Sequence, residues 1–178
     1  MNNTNLIELL SYFKDSDIKS FSKFLVSPFF NSNKAAVSLF SEIKRYYPQF
    51  SSAGFTKSAL YSSVFPGEKY NDTKMRKLIS DLNKLAEKYI SVERLTKDES
   101  QMYNSFLNFK KEKHIFQNTE SNLNNWEKLL KHASVKKNES YYFSMLFFEG
   151  HVSHFNSFKP KVDHDYRRNE LKSLICYF

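Results

Sequence analysis

Breakers are scarce in this 178-residue chain, and their placement limits what it can fold into. It holds three glycines (Gly54, Gly67, Gly150) and four prolines (Pro28, Pro48, Pro66, Pro160). Four of these seven fall between Pro48 and Gly67, so one broken zone lies in the first half and long stretches elsewhere run without interruption. Strand-rich folds need turns at short intervals, whereas uninterrupted apolar periodicity favours helices. The expected class is all-α.

The stripes can be followed along the chain. Leu6, Ile7, Leu9, Leu10 and Phe13 form the first. Asp15 or Ser16 caps a second, carrying Ile18, Phe21, Phe24 and Leu25, which stops at Ser27-Pro28 because a residue before proline avoids the helical region. Phe29 and Phe30 sit in a compact turn and are expected in the core. Ala36, Val37, Phe40, Ile43 and Tyr47 make a third helix, ended by Pro48. Thr56, with the apolar Phe55 before it, reads as the N-cap of a short helix with Ala59, Leu60, Val64 and Phe65. After the Pro66-Gly67 turn, Asn71 caps a long helix through Met75, Leu78, Ile79, Leu82, Leu85, Ala86, Tyr89 and Ile90. Residues 91–95 either continue it or form a short extended piece.

Beyond, Thr96 or Asp98 caps a helix with Met102, Phe106, Phe109, His114 and Phe116 expected inward. Another carries Leu123, Trp126, Leu129, Leu130 and Ala133, and Asn138 opens one with Tyr142, Met145, Leu146, Glu149 and Val152. The last begins near Asp163 and carries Leu171, Leu174, Ile175 and Phe178. Helix pairs start 41 residues apart, at Asp98 and Glu139, a spacing that suits stacked helical hairpins. The expected organisation is an N-terminal helical bundle over 1–92, with a helix-turn-helix-like unit at 56–92, and a helical-hairpin region over 93–178. An apolar stripe running to the last residue raises the expectation that the chain is the front part of a longer protein. The alternative is a terminal helix docked on its own core.

The net charge of +8 is spread over both halves, with 13 Lys and Arg against 8 Asp and Glu up to residue 90 and 14 against 11 after it. Such a field attracts nucleic acid or acidic partners weakly. Lysine supplies 22 of the 27 positive charges, and arginine is the side chain suited to bidentate readout of guanine, so the balance argues against a dedicated base-reading surface. Cys176 is the sole cysteine, which rules out an internal disulfide and a cysteine zinc cluster. No signal-peptide pattern and no apolar run near 20 residues is visible, so a cytoplasmic location and no membrane partner are expected.

Two resemblances follow from particular segments. Phe21-Ser22-Lys23-Phe24-Leu25-Val26-Ser27-Pro28-Phe29-Phe30-Asn31, Tyr46-Tyr47-Pro48, Val64-Phe65-Pro66-Gly67-Glu68-Lys69-Tyr70-Asn71 and Lys74-Met75-Arg76-Lys77-Leu78-Ile79-Ser80-Asp81-Leu82 together resemble an uncharacterised family of larger helical proteins common in Bacteroidetes. Tyr141-Tyr142 and Asp163-x-x-Tyr166 extend the likeness. That family implies no activity, cofactor or catalytic residue. The helix after Asn71 is also similar to the third helix of bacterial winged-helix regulators, although residues 91–105 offer no Gly-containing turn for a wing. Trp126-x-x-Leu129 matches two positions of a tetratricopeptide pattern, with Leu130 where that pattern wants glycine.

Catalytic groupings are not apparent. His151 and His154 stand at helical spacing with His164 beyond Pro160, too loose a set for a metal site. No two glycines lie close enough for a phosphate loop, and paired carboxylates (Asp15 with Asp17, Asp163 with Asp165) sit at helix starts, where the helix dipole accounts for them. Cys176 reads as a buried small hydrophobe. No enzyme and no cofactor are expected. Adjacent aromatic pairs such as Phe147-Phe148 cannot both face one core, which leaves rings to anchor a partner. The expected function is a non-enzymatic interaction or scaffold module binding a protein partner or further parts of a longer chain. The alternative is nucleic-acid binding through Thr73, Lys74, Arg76, Lys77, Ser80 and Lys84, with Asp81 as the intruding carboxylate.

Overall fold

The computed structural model describes residues 4–133 and 138–157, and every regular element among them is helical. In order these are α1 (Asn5–Ser11), α2 (Asp15–Val26), α3 (Lys34–Lys44), α4 (Lys57–Val64), α5 (Asp72–Lys97), α6 (Glu99–Glu112), α7 (Thr119–Ala133) and α8 (Glu139–Ser157). The all-α class is thus the observed one. The expected last helix from Asp163, with Leu171 to Phe178, Cys176 and His164, lies outside the described residues. Among the described residues no helix is long and apolar enough to cross a membrane. The chain divides into two compact units, Met1–Glu93 and Arg94–Phe178.

Local chemistry sets most helix starts. Orphan N–H groups of a first turn need acceptors, and side-chain oxygens supply them. Asn33 Oδ1 accepts from Ala35 and Ala36, Thr56 Oγ1 from Ala59, Asn71 Oδ1 from Lys74, Asp98 Oδ1 from Gln101 and Asn138 Oδ1 from Tyr141, at 2.9–3.3 Å. The start of α2 corrects the expectation. Lys14 is the N-cap, and Asp17 reaches back so that its Oδ2 accepts from Lys14 N–H at 2.9 Å. Gly67 closes the turn before α5 with φ 81°, a left-handed conformation that glycine adopts without a Cβ clash. Residues 91–95 continue α5, and α6 follows directly, so helix occupies the place where a wing would stand.

In the first unit, α2 packs on α3 and α3 on α4, around a core that also takes Leu6, Ile7 and Leu10 of α1 and Met75, Leu82, Ala86 and Tyr89 of α5. Its centre is aromatic. The Phe21 ring meets Phe40 edge-on at 4.7 Å and lies 5.3 Å from Tyr89, which also touches Phe13 and Phe24. Phe30 stacks on Phe24 at 4.2 Å, but Phe29 is 83% exposed, so only one of the two turn aromatics enters the core. Adjacent side chains point in different directions, and the turn lays just one ring on α2.

In the second unit, α6, α7 and α8 pack on one another around Leu107, Leu123, Trp126, Leu130, Phe148 and Val152. Here the expected inward faces need correction. Tyr103, Leu107 and Lys110 form the inner line of α6, while Met102, Phe106 and Phe109 are 50%, 48% and 50% exposed; His114 and Phe116 are exposed as well. On α8, Phe148 is buried and Leu146 is not. Both helices carry apolar residues on two faces, and contact with α7 decides which face closes.

Candidate functional site

The candidate surface on α5 begins at its capped first turn. Three elements meet there: the end of α4, the Pro66-Gly67 turn and the first turn of α5. Tyr61, buried on α4, donates its hydroxyl to Glu68 Oε2 at 2.9 Å, and Lys74 Nζ meets the same oxygen at 2.7 Å. The Lys74 ammonium also stands 3.7 Å from the centre of the Phe65 ring, a close cation–π contact. These bonds from Lys74 and Tyr61 hold the Glu68 carboxyl below its usual range, and Glu68 in turn raises Lys74. Next to it, Asp72 accepts from the Tyr70 hydroxyl at 2.9 Å and pairs with Arg76 at 2.6 Å. The Tyr70 bond first, then Arg76 and Lys57, keep the Asp72 carboxyl low.

Of the six residues singled out for nucleic-acid contact, Lys74 and Arg76 are therefore already neutralised by Glu68 and Asp72. The other four are exposed. At about 100° per residue, Thr73, Lys77, Ser80 and Lys84 fall on one narrow line, opposite the buried Met75, Leu78, Leu82 and Tyr89. Lys77 and Lys84 make no ion pair among the described residues, and Asp81 is only half-exposed beside them. The network around Glu68 carried no signal at sequence level, because the Pro-Gly turn folds Glu68 back over a lysine six residues further on.

The second unit holds a groove of about 540 Å³ at α6, α7 and α8. Ser100, Asn104, Trp126, Ser144 and Phe147 are among its lining residues. Trp126 is fully buried. Its indole N–H donates to Ser100 Oγ at 3.1 Å, its ring stacks on Tyr103 at 6.0 Å, and Phe148 meets it edge-on at 5.6 Å. His151 Nε2 is 2.9 Å from Asn104 Oδ1, and its ring lies 5.9 Å from Trp126. Lys110 is buried too, donating to Gln117 O at 2.6 Å and Asn122 Oδ1 at 3.1 Å across the α6–α7 connection. Desolvation lowers its pKa. Its position on the line of Tyr103 and Leu107 was the one sequence signal of that burial. Among the described residues no group of three or more His, Cys, Asp or Glu could hold a metal ion, and His164 lies outside them.

Burial first, then Lys111 and His154, lower the pKa of His151. The unfolded chain therefore takes up a proton at this residue at a higher pH than the folded one. By linkage, stability present above the ordinary histidine pKa is lost as pH falls toward the depressed folded value. Acidification from pH 7 to 5 should reduce the stability of the second unit, and His151→Gln should weaken that dependence. Urea titrations read by fluorescence of Trp126, the only tryptophan, would check this. An unchanged pH slope in the variant would refute it.

Comparison with known proteins finds no relative: no family model, no curated protein and no solved structure matches this chain.

Proposed function

We propose that the chain is a non-enzymatic helical interaction module, in which Met102, Phe106 and Phe109 of α6 seat an amphipathic helix of a protein partner. The observation that carries this reading is that these large apolar side chains, half-exposed, stand at i, i+4 and i+7 on a regular helix. That spacing matches the anchor pattern of helix-in-groove recognition. The line lies about a quarter turn round α6 from the inner line of Tyr103, Leu107 and Lys110, so it is not the rim of the core. Lys113 continues it one turn beyond Phe109, which suits a partner helix with a carboxylate at that end.

The test is Phe106→Asp with Phe109→Asp in the full chain, compared with the unaltered chain by in-cell crosslinking in the native host and by light scattering. A discrete crosslinked protein product should be present with the unaltered chain and absent with the double variant, at equal helical ellipticity. A chain that is monomeric and uncrosslinked in both forms sinks the reading.

The exposed line of Lys77 and Lys84 favours a second reading, nucleic-acid binding by α5. Two phosphate-contacting lysines imply a slope of log K against log salt of about −2. Loss of a low-salt mobility shift on Lys77→Glu with Lys84→Glu would support it. No shift with single- or double-stranded probes removes it.

A further inference from the structure

The groove at α6, α7 and α8 is lined by hydrogen-bond donors that have nothing to donate to. Asn104 Oδ1 accepts from Asn108 Nδ2 at 3.3 Å and lies 2.9 Å from His151 Nε2. The oxygen is thus engaged twice, while the amide nitrogen has no acceptor among the described residues. One turn earlier, the Ser100 hydroxyl accepts from the Trp126 indole and donates to no described residue. On α8, the Ser140 and Ser144 side chains make no hydrogen bond among the described residues. Ser100, Asn104 and Ser144 are half-buried. Part-buried polar groups of this kind gain most from a ligand that supplies the missing partners.

The spacing selects the ligand. Ser100 and Asn104 on α6, like Ser140 and Ser144 on α8, stand four residues apart, about 6 Å along a helix. An extended peptide turns a carbonyl to the same side at every second residue, about 6.6 Å apart. Two rows of polar groups near that repeat, one from each helix, match the two edges of an extended chain. Charge narrows the choice. Among the described lining residues Glu139 is the one charged side chain, and it makes no ion pair with them. Donors beside a carboxylate, with no cation, suit neutral carbonyls and repel carboxylates and phosphates. Phe143 and Phe147, 45% and 48% exposed, add apolar surface for side chains.

We infer that this groove binds an extended peptide segment of a protein partner, with backbone carbonyls on Ser100, Asn104 and Ser144 and a Lys or Arg side chain on Glu139. Its volume of about 540 Å³ is that of an ordinary ligand pocket. At about 100° per residue, Ser100 and Asn104 lie about half a turn round α6 from Met102, Phe106 and Phe109. The groove and the helix-binding line therefore stand or fall separately.

A phage-displayed library of random linear decapeptides, panned on the full chain, tests the assignment. Enriched sequences should share a Lys or Arg and should bind as acetylated, amidated peptides in fluorescence anisotropy. Asn104→Asp keeps the oxygen for Asn108 and His151 but replaces the donor with an acceptor, and should weaken binding about tenfold or more. Ser144→Ala should weaken it about threefold. The Glu139→Lys chain should enrich Asp or Glu in place of the basic residue. Phe106→Asp with Phe109→Asp should leave the affinity unchanged. Transferred NOEs of the bound peptide should show the strong sequential Hα–HN contacts of an extended chain. No enrichment over the Asn104→Asp chain, a selection indifferent to Glu139→Lys, or a bound helix would overturn the inference. Ser144→Ala covers the case where Asn104→Asp perturbs folding: unchanged affinity at equal helical ellipticity overturns the carbonyl recognition.

Discussion

Phe21→Ala should lower the unfolding free energy of the first unit by about 3–5 kcal/mol, the range for truncating a large buried aromatic. Phe21 is completely buried. Its ring lies 4.7 Å from Phe40, 5.3 Å from Tyr89, 5.8 Å from Phe13 and 6.3 Å from Phe24, so it links the α1–α2 connection, α2, α3 and α5. Removing it takes away buried apolar area, the edge-to-face contacts with Phe13 and Phe40 and the tilted ones with Phe24 and Tyr89 together, and leaves a cavity that four other rings cannot collapse into without leaving their own rotamers. Since whole domains are stable by only about 5–15 kcal/mol, the loss should show as a large drop in the urea midpoint by far-UV circular dichroism. Phe29→Ala is the internal comparison. That ring touches Phe30 at 4.9 Å but is mostly in water, and its loss should stay within about 0.5 kcal/mol. Equal losses for the two variants would mean that the aromatic centre is elsewhere.

The contrast between Phe21 and Phe29 shows what a sequence of this kind discloses. Helix positions and starts are local matters. The caps at Thr56, Asn71, Asp98 and Asn138 could be read because the acceptor and the orphan N–H lie three residues apart. Inner faces could be read where one stripe is apolar and the other polar, as on α5. They could not be read on α6, where Met102, Phe106 and Phe109 look more apolar than the line that is in fact buried. That line includes Lys110, tolerated because its stem lies along the core and its ammonium reaches Gln117 and Asn122. The exposure of Lys77 and Lys84 follows from the α5 stripe opposite them. The capture of Lys74 by Glu68 does not, because it depends on how a turn closes and not on helical spacing.

The choice between the two faces of α6 turns on Trp126, which makes its replacement the sharpest test of the second unit. Trp126→Ala should lower the stability of that unit by about 3–5 kcal/mol. The indole fills the space where α6, α7 and α8 meet, stacked on Tyr103, edge-on to Phe148 and beside His151. Its N–H also has the Ser100 hydroxyl as partner, a bond worth about 1 kcal/mol. Trp126→Phe should therefore recover most of the loss but not all of it, because the ring returns without its donor. The only tryptophan is the residue removed, so the measurement needs far-UV dichroism or tyrosine emission. The same substitution tests the facing of α6 independently. With Trp126 gone, Tyr103 and Leu107 lose the surface that holds them inward, and the Met102–Phe106–Phe109 line becomes an equally good inner face. Phe106→Asp should then be more costly in the Trp126→Ala background than in the unaltered chain. Additive costs would mean that α6 is held in its facing by contacts other than Trp126.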